Sequence, residues 1–417
     1  MREWLGRAVA GMFLVALVGC ASARREKPTT TLEGAMRLID QRASWGELAA
    51  VDVPRHPAEK HLARMTIVID PGHGGDAWKQ NWKRGPHGVR EAEINLRVSL
   101  LLARLLKDAG ANVILTRESD TDLDLDERAM VANSAVRPDG TAGADLFISV
   151  HHNATDSPTT NFTSVWYHGG VDDNEPDLDV ARYVAHGLGR HMQTQVAKTA
   201  PVLSSHLMYS SGFGVLRWCE VPAILCECSF FTSPPEEARL GDASYNLREA
   251  YGIYEGLCEW AYCGRPTQST PVVDGLKVTT TLNDGLPGWW GKDMNRIVSS
   301  TVTVTLDGKR LPSSFDRKSR VLATTLPSDL EAGEHVLWVH HANLFKNHNW
   351  PQRYGISVNR GEKAVQTWVN EALPASRPSL PSTRPATRGS GRWRDRSGSR
   401  ASTRSATTRA TTNTSGS

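Results

Sequence analysis

From Met65 to Ala261 short apolar runs alternate with longer stretches whose apolar residues recur at helical spacing, and this alternation restricts the fold more than any other feature. Thr66-Ile67-Val68-Ile69-Asp70 is a β-branched run that stops at Pro71-Gly72, the pattern of a buried strand entering a turn. Residues 91–109 have helical spacing and end at Gly110. Further strands are predicted over 112–116, 145–150, 164–168 and 221–227, and further helices over 126–135, 178–198 and 234–261. The expected fold is therefore α/β, a mostly parallel twisted sheet flanked by helices, covering residues 63–264.

Residues 265–275 (RPTQSTPVVDG) read as a Pro/Thr/Ser linker. Beyond it the helical spacing disappears. Short strands are predicted over 276–282, 300–306, 321–325 and 335–341, with turns at Asn283-Asp284-Gly285, Asp307-Gly308 and Ala332-Gly333. Residues 276–375 should form a small all-β, sandwich-like domain. Its Trp289, Trp290, Trp338 and Trp350, with Asn343, Asn347 and Asn349, suit either a glycan-binding face or an ordinary core. A wall polymer and a protein are both candidate partners for it. Residues 376–417 carry nine Arg and one Asp among Ser, Thr, Pro, Ala and Gly, too little apolar surface to fold. This basic tail is read as disordered. Its charge suits anionic polymers or membrane surfaces, and a solvated tail without a specific partner fits equally well. The net charge of +3 over 417 residues points to no nucleic-acid partner.

The first residues point to export. Arg2 and Arg7 precede an apolar run over 8–19, shorter than the roughly 20 residues that span a bilayer as a helix. It ends in Leu17-Val18-Gly19-Cys20, which resembles a bacterial lipobox. The resemblance implies that residues 1–20 are a lipoprotein signal, that Cys20 carries lipid, and that 21–62 tether the chain to a membrane. Ala21, where an Asp would favour the inner membrane, leans towards the outer membrane of the cell envelope. Val18 is bulkier than usual there, and a plain signal peptide is the alternative. Five Cys remain besides Cys20, an odd number whose pairing the sequence does not reveal.

Four segments place a His or Glu where a strand ends or a helix begins, the edge at which α/β sheets build their sites. They are Ile69-Asp70-Pro71-Gly72-His73-Gly74-Gly75, Gly88-Val89-Arg90-Glu91-Ala92-Glu93, Asp145-Leu146-Phe147-Ile148-Ser149-Val150-His151-His152-Asn153, and Val221-Pro222-Ala223-Ile224-Leu225-Cys226-Glu227-Cys228. Each alone is weak: a loop His, a first-turn Glu favoured by the helix dipole, or a buried Glu paired with Arg would explain it. Adjacent strand residues face opposite ways, so only one of His151 and His152 should face a given metal. Taken together, two His and one Glu make three metal ligands and leave another Glu unbound. That is the inventory of a catalytic zinc site with an open position for water.

In this order the segments resemble the zinc-dependent N-acetylmuramoyl-L-alanine amidases of the type-3 family. The middle stretch, Leu115-Thr116-Arg117 followed by Asp126-Glu127-Arg128 and Ala132-Asn133, is similar too. The resemblance spans about 200 residues and implies cleavage of peptidoglycan between N-acetylmuramic acid and L-alanine. It implies one Zn²⁺ held by His73, Glu91 (rather than Glu93) and His151, with Glu227 as the catalytic acid–base group. His152, Asn153 and Arg117 are supporting candidates. Cys226, Cys228 and Ser229 depart from the family's pattern. Trp78, Lys79, Trp82, Lys83 and Arg84 suit the lining of a substrate groove. The interval from His151 to Glu227 leaves little room for a regulatory insertion, so an open site is expected. Two rivals stand beside this reading: a catalytically inert wall-binding module, and another exported zinc amidohydrolase or peptidase.

Overall fold

The computed structural model describes residues 31–39, 53–170, 174–194, 200–286, 295–361 and 364–369. The expected signal with Cys20, much of the expected tether, Trp289-Trp290 and the basic tail lie outside them.

A six-stranded sheet forms the first domain, from β1 (Thr66–Pro71), β2 (Asn112–Leu115), β3 (Leu146–Asn153), β4 (Ser164–Tyr167), β5 (Val202–Ser204) and β6 (Ala223–Phe230). Their order is β2-β1-β3-β6-β4-β5. The first four in that order run parallel; β4 is antiparallel to β6, and β5 follows β4. The helices are α1 (Leu32–Leu38), α2 (Glu91–Asp108), α3 (Leu125–Asn133), α4 (Glu175–Met192), α5 (Gly214–Arg217), α6 (Pro234–Leu240) and α7 (Ala243–Tyr262). Side chains alternate along β1: Ile67 and Ile69 join the core under α2, α4 and α7, whereas Val68 joins the one under α3 and α5. The sheet is thus buried on both faces, which is why its strands are apolar without interruption.

The helix predicted over 234–261 is two helices. Gly241 ends the first, and the Asp242 side chain accepts from Ser244 N at 2.8 Å to cap the second. α4 and α7 cross at backbone contact: a Cβ on Gly187 would stand 2.1 Å from Gly252 O.

The second domain is two facing antiparallel sheets. One is built from β10 (Thr303–Leu306), β11 (Lys309–Leu311), β14 (Gly333–His340), β15 (Arg353–Gly361) and β16 (Ala364–Val369). The other contains β7 (Thr267–Gln268), β8 (Val272–Asp274), β9 (Lys277–Asn283), β12 (Ser313–Phe315) and β13 (Val321–Thr325). Val278, Leu322, Leu337 and Ile356 meet between them. The segment 265–275 differs from the expected linker, because Val272-Val273-Asp274 turns back on Lys277 and both of its short strands pair with β9.

The Asn residues singled out as glycan candidates bind backbone instead. Asn343 Nδ2 donates to Cys263 O at 2.9 Å and Asn347 Nδ2 to Gly264 O at 2.7 Å, while Asn349 Nδ2 donates to Val339 O at 2.7 Å. With His348 on Asp179 (3.0 Å) and Gln352 on Glu175 (3.0 Å), Asn343 and Asn347 fasten the β domain to α4 and the end of α7, whereas Asn349 binds within the β domain. Trp338 carries the Arg353 guanidinium 3.8 Å from its ring centre.

Candidate active site

Three of the predicted residues converge at the C-terminal edge of the parallel strands. Donor atoms of His73, Glu91 and His151 lie within 4.8 Å of one another. His73 follows β1 in a left-handed backbone conformation (φ 57°), rare for a residue with a Cβ. Arg128 Nη2 holds it there by donating to His73 O at 2.9 Å. Glu91 opens α2 and is buried, whereas Glu93 is partly exposed and pairs with Arg90 at 2.8 Å. His151 ends β3. Glu91 Oε1 lies 3.2 Å from His73 Nε2 and 3.1 Å from His151 Nδ1, and the two rings stand edge to face. The second oxygen, Glu91 Oε2, is buried without a hydrogen bond; Lys83 Nζ is 4.0 Å away.

Glu227 sits opposite His151 in the β3–β6 register. Its residue keeps some exposure, but Oε2 is buried and makes no hydrogen bond. Burial, with Glu91 nearby, holds its carboxyl well above the ordinary range. Burial would raise Glu91 as well, but His73 and His151 outweigh it and hold Glu91 well below that range. Burial keeps His151 down at about 4 despite its bond to Glu91, so its ring is neutral and has a lone pair to offer. Grouped imidazole and carboxylate donors with an orphaned buried oxygen on Glu91 are an arrangement that a cation completes.

Beneath this group Asp70 collects Arg128 Nη1 (2.8 Å), Ser149 Oγ (2.6 Å) and Thr116 Oγ1 (2.6 Å). Arg117 donates to Pro71 O, Gly72 O and Ala92 O, each at 2.8 Å, and so ties the His73 loop to α2. Asn153 lies at the end of β3, its Oδ1 accepting from Ala154 N. His152 points away from the cluster, its Nδ1 2.8 Å from Asn95 Oδ1. Asn95 itself was not singled out in the sequence, although it sits one helical turn after Glu91. The five described Cys are all free of disulfides.

Gly72 passes so close to His151 that a Cβ there would lie 2.3 Å from the ring. Gly72→Ala is therefore expected to displace His151 and weaken metal binding by about 10–100-fold, the range typical of changes beside a ligand. Competition with a chromophoric chelator measures this, and unchanged affinity would remove His151 from the ligand set.

Residues 67–259 match the N-acetylmuramoyl-L-alanine amidase family, Amidase_3. The amidase match takes in all four of His73, Glu91, His151 and Glu227 and just under half of the chain. The germination-specific N-acetylmuramoyl-L-alanine amidase of Bacillus subtilis (strain 168) is 29% identical over 214 residues, 48% of this chain and 81% of that protein. N-acetylmuramoyl-L-alanine amidase AmiA of Escherichia coli (strain K12) is 26% identical over 239 residues, 49% of this chain and 78% of that one. A crystal structure of an N-acetylmuramoyl-L-alanine amidase from Clostridium difficile 630 is 28% identical, with a TM-score of 0.40, over 48% of this chain and 97% of that chain.

Proposed function

We propose that this chain cleaves the amide bond between N-acetylmuramic acid and the L-alanine of the stem peptide in peptidoglycan, using zinc held by His73, Glu91 and His151. The observation that carries the reading is the meeting of those three donors with an unpartnered Glu227 across from His151, inside a domain that matches the amidase family. Two imidazoles and one carboxylate are a donor set suited to catalytic zinc. When bound, zinc polarises the scissile carbonyl and makes water a stronger nucleophile at neutral pH.

The protein's own groups do the rest. The His73 loop, fixed by Arg117 and Arg128, and β3, fixed in the sheet, hold the donors with little freedom to move. Glu227 has no competing hydrogen-bond donor at Oε2, so it can take the proton of the attacking water and return it to the departing L-alanine nitrogen. Trp78 is exposed, and Lys79 Nζ lies 5.4 Å from the ring centres of both Trp78 and Trp82. Together with Lys83 they offer ring faces for the sugar and positive charge for the stem peptide's carboxylates. An inert wall-binding module is not favoured, since all four chemical positions are in place. Through Cys20 we assign the protein to the cell envelope as a lipoprotein, held on the outer membrane.

Chelation is expected to stop peptidoglycan cleavage, and added zinc to restore it. His73→Ala should lower both activity and bound zinc. Full activity in a protein shown to be free of metal would overturn the zinc assignment.

A further inference from the structure

On the face of β3 opposite His151 a second set of donor atoms converges, and amide hydrolysis uses none of them. His152 on β3, Cys228 on β6 and Glu249 on α7 bring an imidazole nitrogen, a sulfur and a carboxylate oxygen within 4.8 Å of one another. All three side chains are buried, those of His152 and Glu249 completely. Cys226, two residues earlier on the same face of β6, neighbours Cys228 and is equally buried.

The hydrogen bonds around His152 fix its orientation. Asn95 Nδ2 donates to Gly72 O at 3.1 Å, with Glu91 Oε1 at 3.4 Å. Its Oδ1 is left to accept from His152 Nδ1 at 2.8 Å. With Nδ1 as the donor, Nε2 is the ring atom turned towards Glu249, 3.1 Å from Oε1 and 3.3 Å from Oε2. Positive charge belongs between them, and either a proton, which Glu249 favours on His152, or a metal ion supplies it. Glu249 Oε1 is moreover buried and takes no hydrogen bond. A thiol beside a buried carboxylate is a poor partner for it, but nitrogen, sulfur and oxygen donors closed off from water are the surroundings of a structural metal.

We propose that His152, Cys228 and Glu249, with Cys226 as fourth donor, form a second, structural site for a thiophilic divalent cation such as zinc. Each coordinating thiol gives up its proton to solvent as its sulfur–metal bond forms. The enclosure means that the ion enters as the domain folds and leaves only when it opens. Because Asn95 touches both His152 and Glu91, a filled site would also stiffen the support of the first cluster.

Cobalt substitution tests this, since of the two clusters this one holds thiols and would give thiolate-to-cobalt charge transfer. The full chain, produced with cobalt, is examined by native mass spectrometry and absorption spectroscopy. We expect two cobalt ions per chain and a charge-transfer band in the near ultraviolet. The band should survive a mild chelator and His73→Ala, which remove the other ion, and be lost in Cys228→Ser. One ion per chain, no such band and loss of that ion in His73→Ala would overturn the proposal and leave His152 and Glu249 as an ion pair. A single ion that carries the band and persists in His73→Ala would sustain this site and count against the catalytic one. The unsubstituted protein's spectrum decides the matter even if Cys228→Ser does not fold.

Discussion

Glu227→Gln is expected to abolish amide hydrolysis and leave the bound metal in place. The amide matches the carboxylate in size and fits the same place in β6, so the geometry around His151 should persist. What it loses is the ability to accept a proton. Removing a positioned general base slows a reaction by about 10²–10⁴-fold, and here one residue serves both proton transfers. Steady-state rates on purified peptidoglycan, read alongside zinc content, separate the outcomes. Zinc lost together with activity would make Glu227 a ligand. Activity within a fewfold of normal would move the proton transfers elsewhere.

Arg128→Met is expected to have the largest effect on stability. Arg128 and Asp70 are both buried, 3% and 0% exposed, and removing one partner of such a pair costs about 3–5 kcal/mol because the other charge is left without compensation. Pro71 O and His73 O lose donors at the same time, so the His73 loop should loosen and zinc affinity fall. The loss should depend on pH. Burial would raise Asp70's carboxyl, yet Arg128, Ser149 and Thr116 hold it below its ordinary value. A carboxylate depressed in this way adds stability above its unfolded pKa, about 3.9, and loses it as pH falls through the lower folded value. The deficit of Arg128→Met should therefore be full at pH 7 and narrow below about pH 4. Denaturant unfolding across that range measures it; a deficit independent of pH would mean that the ion pair contributes nothing.

Much of the site was legible in the sequence because its residues sit at strand ends and helix starts. Periodicity located β1, β3, β6 and the start of α2 within a few residues, and the sheet geometry then aims those ends at one edge. The alternation rule puts His151 and His152 on opposite faces of β3, and their side chains join different groups of donors. What stayed hidden depends on contacts between distant segments. Glu249 reads as one more polar residue on an amphipathic helix until α7 is laid across β6. Arg128 looks like a surface residue of α3 until Asp70 is placed beneath it. The fastening role of Asn343 and Asn347 needs the end of α7 beside the β domain. Gly241-Asp242, by contrast, is a local stop-and-cap signal that the apolar pattern across 234–261 obscured.

Zinc-dependent cleavage at L-alanine is read from the products released from purified peptidoglycan, identified by mass spectrometry with and without a chelator. Stem peptides bearing a free N-terminal L-alanine are expected, absent under chelation and recovered with zinc. Products cut within the peptide or the glycan, or an intact wall with the protein merely bound to it, would contradict it.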